Sequence, residues 1–272
     1  MNEREYAYLK QKIHDLLKID IDAYKTQQMR RRLQAYVGRQ DPSNAYLFCK
    51  KLERDEEARK ELKEMLTINV SEFFRDGMQF TYFKSVVLPE LLQSRLRLNI
   101  WTAGCSHGEE PYSVAMLLDE LSPGGGHRIL ATDVDVHALA RAMAGGPYQP
   151  NELKNVRKLQ LRKYFTRSDE GYYVVDEIRR QVQFRERNLL ADAFEQGFDL
   201  ILCRNVMIYF SDETKDRLIQ QFQESLKPGG ILFLGGTEAI TGGDRTGFER
   251  LSTNFYRRTG AVAIDASRKM AA

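Results

Sequence analysis

Apolar side chains recur at helical spacing through the first quarter of the chain. Between Arg4 and Ile19, the residues Tyr6, Leu9, Ile13, Leu16 and Leu17 share one face, the repeat of an amphipathic helix. A second helix is read over Ala23–Gln40, closed by Gly38 and the Asp41–Asn44 turn "DPSN". A third follows, capped by Ser43 or Asn44, and a fourth covers "DEEARKELKEMLTIN" from Asp55. Residues 77–95 continue as helix with an interruption at Pro89.

The pattern then changes to short apolar runs with strand character. These are "RLNIWTAG" (Arg97–Gly104), "HRILATDVD" (His127–Asp135), "VQFRERNLL" (Val182–Leu190), "FDLILC" (Phe198–Cys203) and "GGILFLGGTE" (Gly229–Glu238). "GFERLSTNFYRRTG" (Gly247–Gly260) supplies one or two more. Helical stretches at Pro111–Glu120, His137–Met143 and Asp212–Ser225 separate several of them. Strand–helix alternation predicts an α/β fold around a parallel sheet with helices on both faces. The runs "DLILC", apolar after Asp199, and "ILFL" fit strands buried on both sides. Between Met143 and Val182 the rhythm breaks. "YYVV" and "VQF", with a turn at Asp169–Gly171, predict a small antiparallel hairpin module inserted at about 146–184. The expected organisation is a helical domain over 1–75, an α/β domain over 76–260 and a tail over 261–272.

Composition narrows the class. The 272 residues are 42% hydrophobic and 29% charged, with 41 basic against 38 acidic side chains and a net charge of +3. That balance does not by itself point to nucleic acid. No apolar run is long enough to span a bilayer, and "MNEREYAYLKQK" has no apolar core of a signal peptide. Cys49, Cys105 and Cys203 lie far apart without metal-ligand spacing, so reduced thiols in a cytoplasmic protein without a metal are expected.

Ligands of open parallel sheets bind beyond the carboxyl ends of the strands. There the chain carries Ala103-Gly104-Cys105-Ser106-His107-Gly108, then Asp133 with Asp135, then Asn188-Leu189, then Arg204, Asn205, Tyr209 and Phe210. Glycines admit a ligand close to the backbone, and a carboxylate ending the second strand can hold ribose hydroxyls. Each taken singly has a plainer reading, such as a tight turn or a helix cap; their order at successive strand ends describes an adenosine pocket. Glu109 and Glu110 stand where a dinucleotide fold would meet pyrophosphate. Carboxylates there favour a cationic ligand, and the sulfonium and ammonium of S-adenosylmethionine suit them.

These residues resemble the chemotaxis receptor glutamate methyltransferases, the CheR family, over nearly the whole chain. The resemblance is carried by "INVSEFFRD" (Ile68–Asp76), "GEEPYS" (Gly108–Ser113), "ATDVD" (Ala131–Asp135), "CRNVMIYF" (Cys203–Phe210), "LKPGGILFLGGTE" (Leu226–Glu238) and "FYRR" (Phe255–Arg258). It implies a Rossmann-like S-adenosylmethionine-dependent methyltransferase domain, an N-terminal helical domain and an inserted antiparallel β-subdomain. It implies cofactor contacts from Asn69, Ser71, Arg75, Ala103, Glu109 or Glu110 (Glu110 favoured), Asp133, Asn188, Leu189, Arg204 and Asn205. Arg75 and Tyr209 would lie nearest the transferred methyl.

The reaction so implied moves a methyl from S-adenosylmethionine to a receptor glutamate, leaving S-adenosylhomocysteine. The acceptor carboxylate, with a reference pKa of about 4.3, is already ionised at neutral pH and needs no general base. Alignment and partial desolvation remain as the enzyme's task. The fourth strand runs Arg204-Asn205-Val206-Met207-Ile208-Tyr209 without the prolines common in enzymes that methylate amide or base nitrogens. The second helix carries Lys25, Arg30, Arg31, Arg32 and Arg39 and no acidic residue, a surface complementary to the glutamate-bearing methylation helices of receptors. Arg30, Arg31 and Arg32 are therefore the expected receptor contacts of a monomer recruited to membrane receptor arrays without inserting, and without a peptide tether. The alternatives are a methyltransferase of the same fold with another substrate, and a non-catalytic cofactor-binding adaptor.

Overall fold

The computed structural model describes residues 1–40, 44–240 and 247–259. The expected tail and most of the Asp41–Asn44 turn lie outside the described residues.

Four helices open the chain: α1 (Glu3–Leu17), α2 (Thr26–Gln40), α3 (Ala45–Arg54) and α4 (Glu56–Thr67). Three of them have a sequence reason to start where they do. Asn2 and Glu5 form a reciprocal capping box on α1, which satisfies two otherwise orphaned N–H groups. Asn44 caps α3 through Tyr46 N, and Asp55 caps α4 through Ala58 N. Leu9, Ile13, Leu33, Phe48, Leu52 and Leu62 close a core of their own between these helices. Gly38 does not end α2. The helix continues to Gln40, because an exposed glycine costs a helix only about 1 kcal/mol relative to alanine.

Next come α5 (Gly77–Tyr82), a π-turn at Phe83–Val87, and α6 (Leu88–Ser94). The sequence predicts an interruption at Pro89; the structure absorbs it in the turn before. Proline lacks an N–H and crowds the carbonyl four residues back, and a widened turn accommodates both.

The α/β part runs β1 (Asn99–Ala103), α7 (Glu109–Leu121), β2 (Arg128–Asp133), α8 (Val136–Ala144), α9 (Lys158–Tyr164), β3 (Phe165–Arg167), β4 (Tyr172–Val174), α10 (Asp176–Arg179), β5 (Val182–Glu186), β6 (Phe198–Cys203), α11 (Asp212–Ser225), β7 (Leu226–Leu234), β8 (Phe248–Arg250) and β9 (Phe255–Arg258). Seven strands form one sheet in the order β5-β2-β1-β6-β7-β9-β8. The first five are parallel; β9 and β8 add antiparallel. Alternation along the central strands builds two cores. Ile100, Leu200, Leu202, Ile231 and Phe233 face one layer, and Trp101, Ile201, Cys203 and Leu232 face the other. This is the α/β sheet expected, with the order reversing between β1 and β6, where such folds bind ligands.

The small hairpin is present but built differently from the expectation. "FTR" pairs with "YYV", antiparallel, as β3 and β4. "VQF" instead starts β5, paired parallel to β2 as the edge of the main sheet. The apolar run alone does not distinguish the two, because either edge buries Val182.

Candidate functional site

A cleft of about 1070 Å³, its open mouth included, lies at the carboxyl ends of β1, β2 and β6, with the helical domain forming one wall. The loop after β1 is shaped by backbone constraint. Gly104 adopts φ +81°, and a Cβ there would come within 2.4 Å of Val206 Cγ2, so a side chain is excluded. The N–H groups of Gly104 and Cys105 both donate to Thr132 O, at 2.8 and 3.0 Å, tying the loop to the end of β2.

Asp133 ends β2 inside the cleft. Its carboxylate accepts from Ser106 N at 2.7 Å and Asp135 N at 2.9 Å. Burial pushes its pKa above the ordinary carboxylate value, against those two bonds. Asn69 crosses from the helical part. It donates to Asp135 Oδ2 at 2.7 Å and accepts from Ser106 Oγ at 3.2 Å. The segment after α4 is thus stitched to the loops after both strands.

Glu110 and Glu109 part company at the start of α7. Glu110 lines the cleft and pairs with Arg204 Nη1 at 3.1 Å. Its carboxyl is pushed up by burial, opposed by Arg204. Glu109 is fully buried on another side, near His107, Glu152 and Arg141, and burial pushes its pKa up to about 7. Successive helical residues point about 100° apart, so only one of the pair can face the cleft. The expectation of two cleft carboxylates attracting a cation is thereby corrected: one is there, and Arg204 already offsets its charge. Ala103 likewise does not line the cleft; it is fully buried as the last residue of β1.

Asn69, Ser71, Arg75, Asp133, Asn188, Leu189, Arg204, Asn205 and Tyr209 all line the cleft with Glu110. The Asn188 side chain is already engaged, donating to Lys18 O at 2.8 Å and accepting from Leu190 N at 2.9 Å. Arg75 is only partly buried and donates to Val70 O at 2.8 Å. Sequence reasoning missed the apolar wall contributed by Ile19, Tyr24 and Leu66. Nothing in "KIDIDAY" carries a chemical signature. Backbone pairing brings it in: Lys25 N donates to Tyr209 O at 3.0 Å, Ser211 N donates to Ala23 O at 2.9 Å, and the Tyr24 and Phe210 rings meet edge to face at 5.0 Å.

The three arginines of α2 do not share one fate. Arg30 pairs with Glu3 at 2.6 Å and stacks on Tyr6. Arg32 is half-buried and donates to the Met65 carbonyl. Arg31 is exposed, as are Lys25 and Arg39. Among the described residues, the side chains of His107, Glu109 and Glu152 come within 4.8 Å of one another. Arg141 bonds both oxygens of Glu152 there, at 2.8 and 2.9 Å, and so supplies a positive charge to that group.

Residues 69–257 match the family described as CheR methyltransferase, SAM binding domain. A chemotaxis protein methyltransferase of Listeria innocua is 37% identical over 258 residues, which cover 94% of this chain and 98% of that one. Chemotaxis protein methyltransferase 1 of Pseudomonas aeruginosa is 39% identical over 193 residues, 66% of this chain and 70% of that one. Among solved structures, a TehB-like SAM-dependent methyltransferase of Corynebacterium glutamicum aligns over 62% of this chain and 83% of its own, at 16% identity and a TM-score of 0.37.

Proposed function

The chain belongs to the CheR methyltransferase family, S-adenosylmethionine-dependent enzymes, and we propose that it methylates glutamate side chains of chemotaxis receptors to give methyl esters. The observation that carries this reading is that Arg75 and Tyr209, 134 positions apart in sequence, line the same cleft as Glu110 and Asp133. A cation and a phenol suit an anionic acceptor; no histidine is among the cleft-lining residues, and an ionised carboxylate needs no base.

The donor set fits the cofactor. Asp133 suits the ribose hydroxyls, Glu110 the cationic amino group, and Ile19, Leu66, Leu189 and Phe210 an apolar base. When bound, S-adenosylmethionine supplies a methyl made electrophilic by its sulfonium. The work of the chain is orientation. Arg75 guides and holds the incoming glutamate loosely enough to leave its oxygen nucleophilic, and Tyr209 fixes the angle by a hydrogen bond. Both are effects of proximity and partial desolvation. The exposed cations of α2 steer the glutamate-rich receptor helix to the cleft. No helix among the described residues is long and apolar enough to cross a membrane; the enzyme acts from the cytoplasm on receptor arrays.

The test is incubation with tritiated methyl donor and receptor-containing membranes. Label that is base-labile and released as methanol supports the ester. Base-stable label means another acceptor atom, and its absence with bound cofactor means an adaptor.

A further inference from the structure

We infer that Glu238, outside the cleft, is a positioning residue for methyl transfer: its carboxylate clamps the loop that carries Arg204, Asn205 and Tyr209. The inference rests on the role proposed above for Tyr209.

Glu238 follows β7 in "GGTE" and is 7% exposed. Its Oε2 accepts from Asn205 N at 2.8 Å and from Gly235 N at 2.7 Å, and its Oε1 accepts from Ile208 N at 3.1 Å. Three backbone donors thus converge on one buried carboxylate. A buried charge of this kind is tolerated only when hydrogen-bonded, and charge-assisted bonds are the stronger class. A neutral amide could not replace it, because its NH₂ would face one of the N–H groups.

Asn205 sits at φ +60°, a left-handed conformation that asparagine tolerates better than most non-glycine residues, and the clamp fixes it there through its own N–H. Gly235 leaves room for the clamp. A Cβ there would lie 2.5 Å from Glu238 Oε2 and 2.7 Å from Asn205 N. Asn254 Nδ2 holds the Gly235 carbonyl from the other side at 2.6 Å. Tyr209 therefore takes its position from both directions: from Glu238 through Ile208, and from Lys25 through its own carbonyl. This gives the glutamate of "GGTE" a task that its absence from the cleft lining conceals.

The test uses the full chain with Glu238→Gln, alone and combined with Tyr209→Phe. Glu238→Gln should lower kcat at least tenfold, with a smaller rise in the KM for the methyl donor through Asn205, which Glu238 holds directly. In the Tyr209→Phe background the same change should lower kcat less than threefold further, since the two act on one step. Equal losses in both backgrounds, or unchanged kcat, would overturn the inference. Amide hydrogen exchange needs no acceptor. Residues 205–210 should exchange at least tenfold faster in Glu238→Gln while the central strands keep their protection. Loss of protection throughout the sheet, or none at 205–210, overturns the clamp. If wild type forms no base-labile ester, the functional reading fails, and the exchange result alone decides the clamp. Should Glu238→Gln not fold, Glu238→Asp, which retracts the charge by one methylene, is judged by the same criteria.

Discussion

Arg204 donates from Nη2 to the backbone carbonyl of Arg75 at 2.9 Å, so the buried arginine at the end of β6 holds the partly exposed one beside the cleft. The same nitrogen reaches Asp76 Oδ2 at 2.8 Å and Gln79 Oε1 at 3.3 Å. Its plane lies over Phe233 at 4.6 Å and Phe80 at 5.2 Å. Phe74 and Asp76, on either side of Arg75, have φ of +52° and +60°. Two left-handed non-glycine residues so close together persist only when neighbours fix them, and Arg204 is one of those neighbours. The two arginines divide the labour: one is spent on structure, while among the described residues the other makes a single side-chain bond, to Val70 O, and stands ready to meet an acceptor.

Arg75→Ala should lower kcat on receptor by about a hundredfold or more while the Kd for S-adenosylhomocysteine moves by less than threefold. Its side chain bonds a backbone carbonyl that also lines the cleft, and an interaction made chiefly in the transition state appears in kcat. Titration calorimetry beside a methylation assay reads both. Equal losses would assign Arg75 to cofactor binding.

Arg204→Met should behave differently, lowering thermal stability as well as cofactor affinity. Methionine can fill the space between Phe80 and Phe233, but Glu110, part-buried in the cleft wall, is left without its ion-pair partner. Breaking one half of a fully buried pair costs about 3–5 kcal/mol, and the open cleft makes the cost here smaller. Denaturant unfolding and cofactor binding measured together check this; an unchanged unfolding midpoint would show that Glu110 is satisfied without Arg204.

Central features of this architecture were legible because the sheet writes itself plainly. "LILC" (Leu200–Cys203) and "ILFL" (Ile231–Leu234) are apolar at every position since both faces are covered. The glycines after β1 and the carboxylate after β2 stand where an open parallel sheet binds ligands. Glu109 and Glu110 were not separable, because sequence order does not give the rotation of a helix about its axis. Ile19 and Tyr24 were not legible, because their place in the cleft follows from how the helical part packs on the Tyr209 loop. Nor did "MRRRL" reveal that Arg30 and Arg32 are spent on Glu3 and Met65: consecutive helical residues face three directions, and only Arg31 faces outward.

That division refines the test of the basic helix. Arg31→Glu should raise the KM for receptor several-fold, more at low salt than at high salt, because screening weakens exposed charges. Cofactor affinity should not change. Arg32→Glu should instead destabilise the fold by stripping the Met65 carbonyl of its partner and half-burying a carboxylate. If Arg31→Glu leaves receptor KM unchanged at low salt, the acceptor docks elsewhere.

Glu109 contributes to the pH dependence of stability, and the sign follows from its surroundings. Neither carboxylate oxygen has a hydrogen-bond partner among the described residues, and the side chain is 0% exposed. Around it stand His107, Glu152, Arg141 and Tyr148. Burial, reinforced by Glu152 and opposed by Arg141, pushes its pKa from 4.5 up to about 7, so the folded state holds a proton that the unfolded state releases. A raised acid pKa contributes stability that is whole below the unfolded value and is lost as pH rises towards the folded one. At about 1.4 kcal/mol per pKa unit, the loss between pH 4.5 and 7 is a few kcal/mol. Glu109→Gln keeps the size and never ionises. Its Tm should match wild type near pH 5 and exceed it by several degrees at pH 8, in a scanning calorimeter at constant ionic strength. At each pH, donor affinity should be the same in Glu109→Gln as in wild type, since Glu109 does not line the cleft. Curves that stay parallel from pH 5 to 8 would mean that Glu109 is ionised throughout and finds a cationic partner in Arg141.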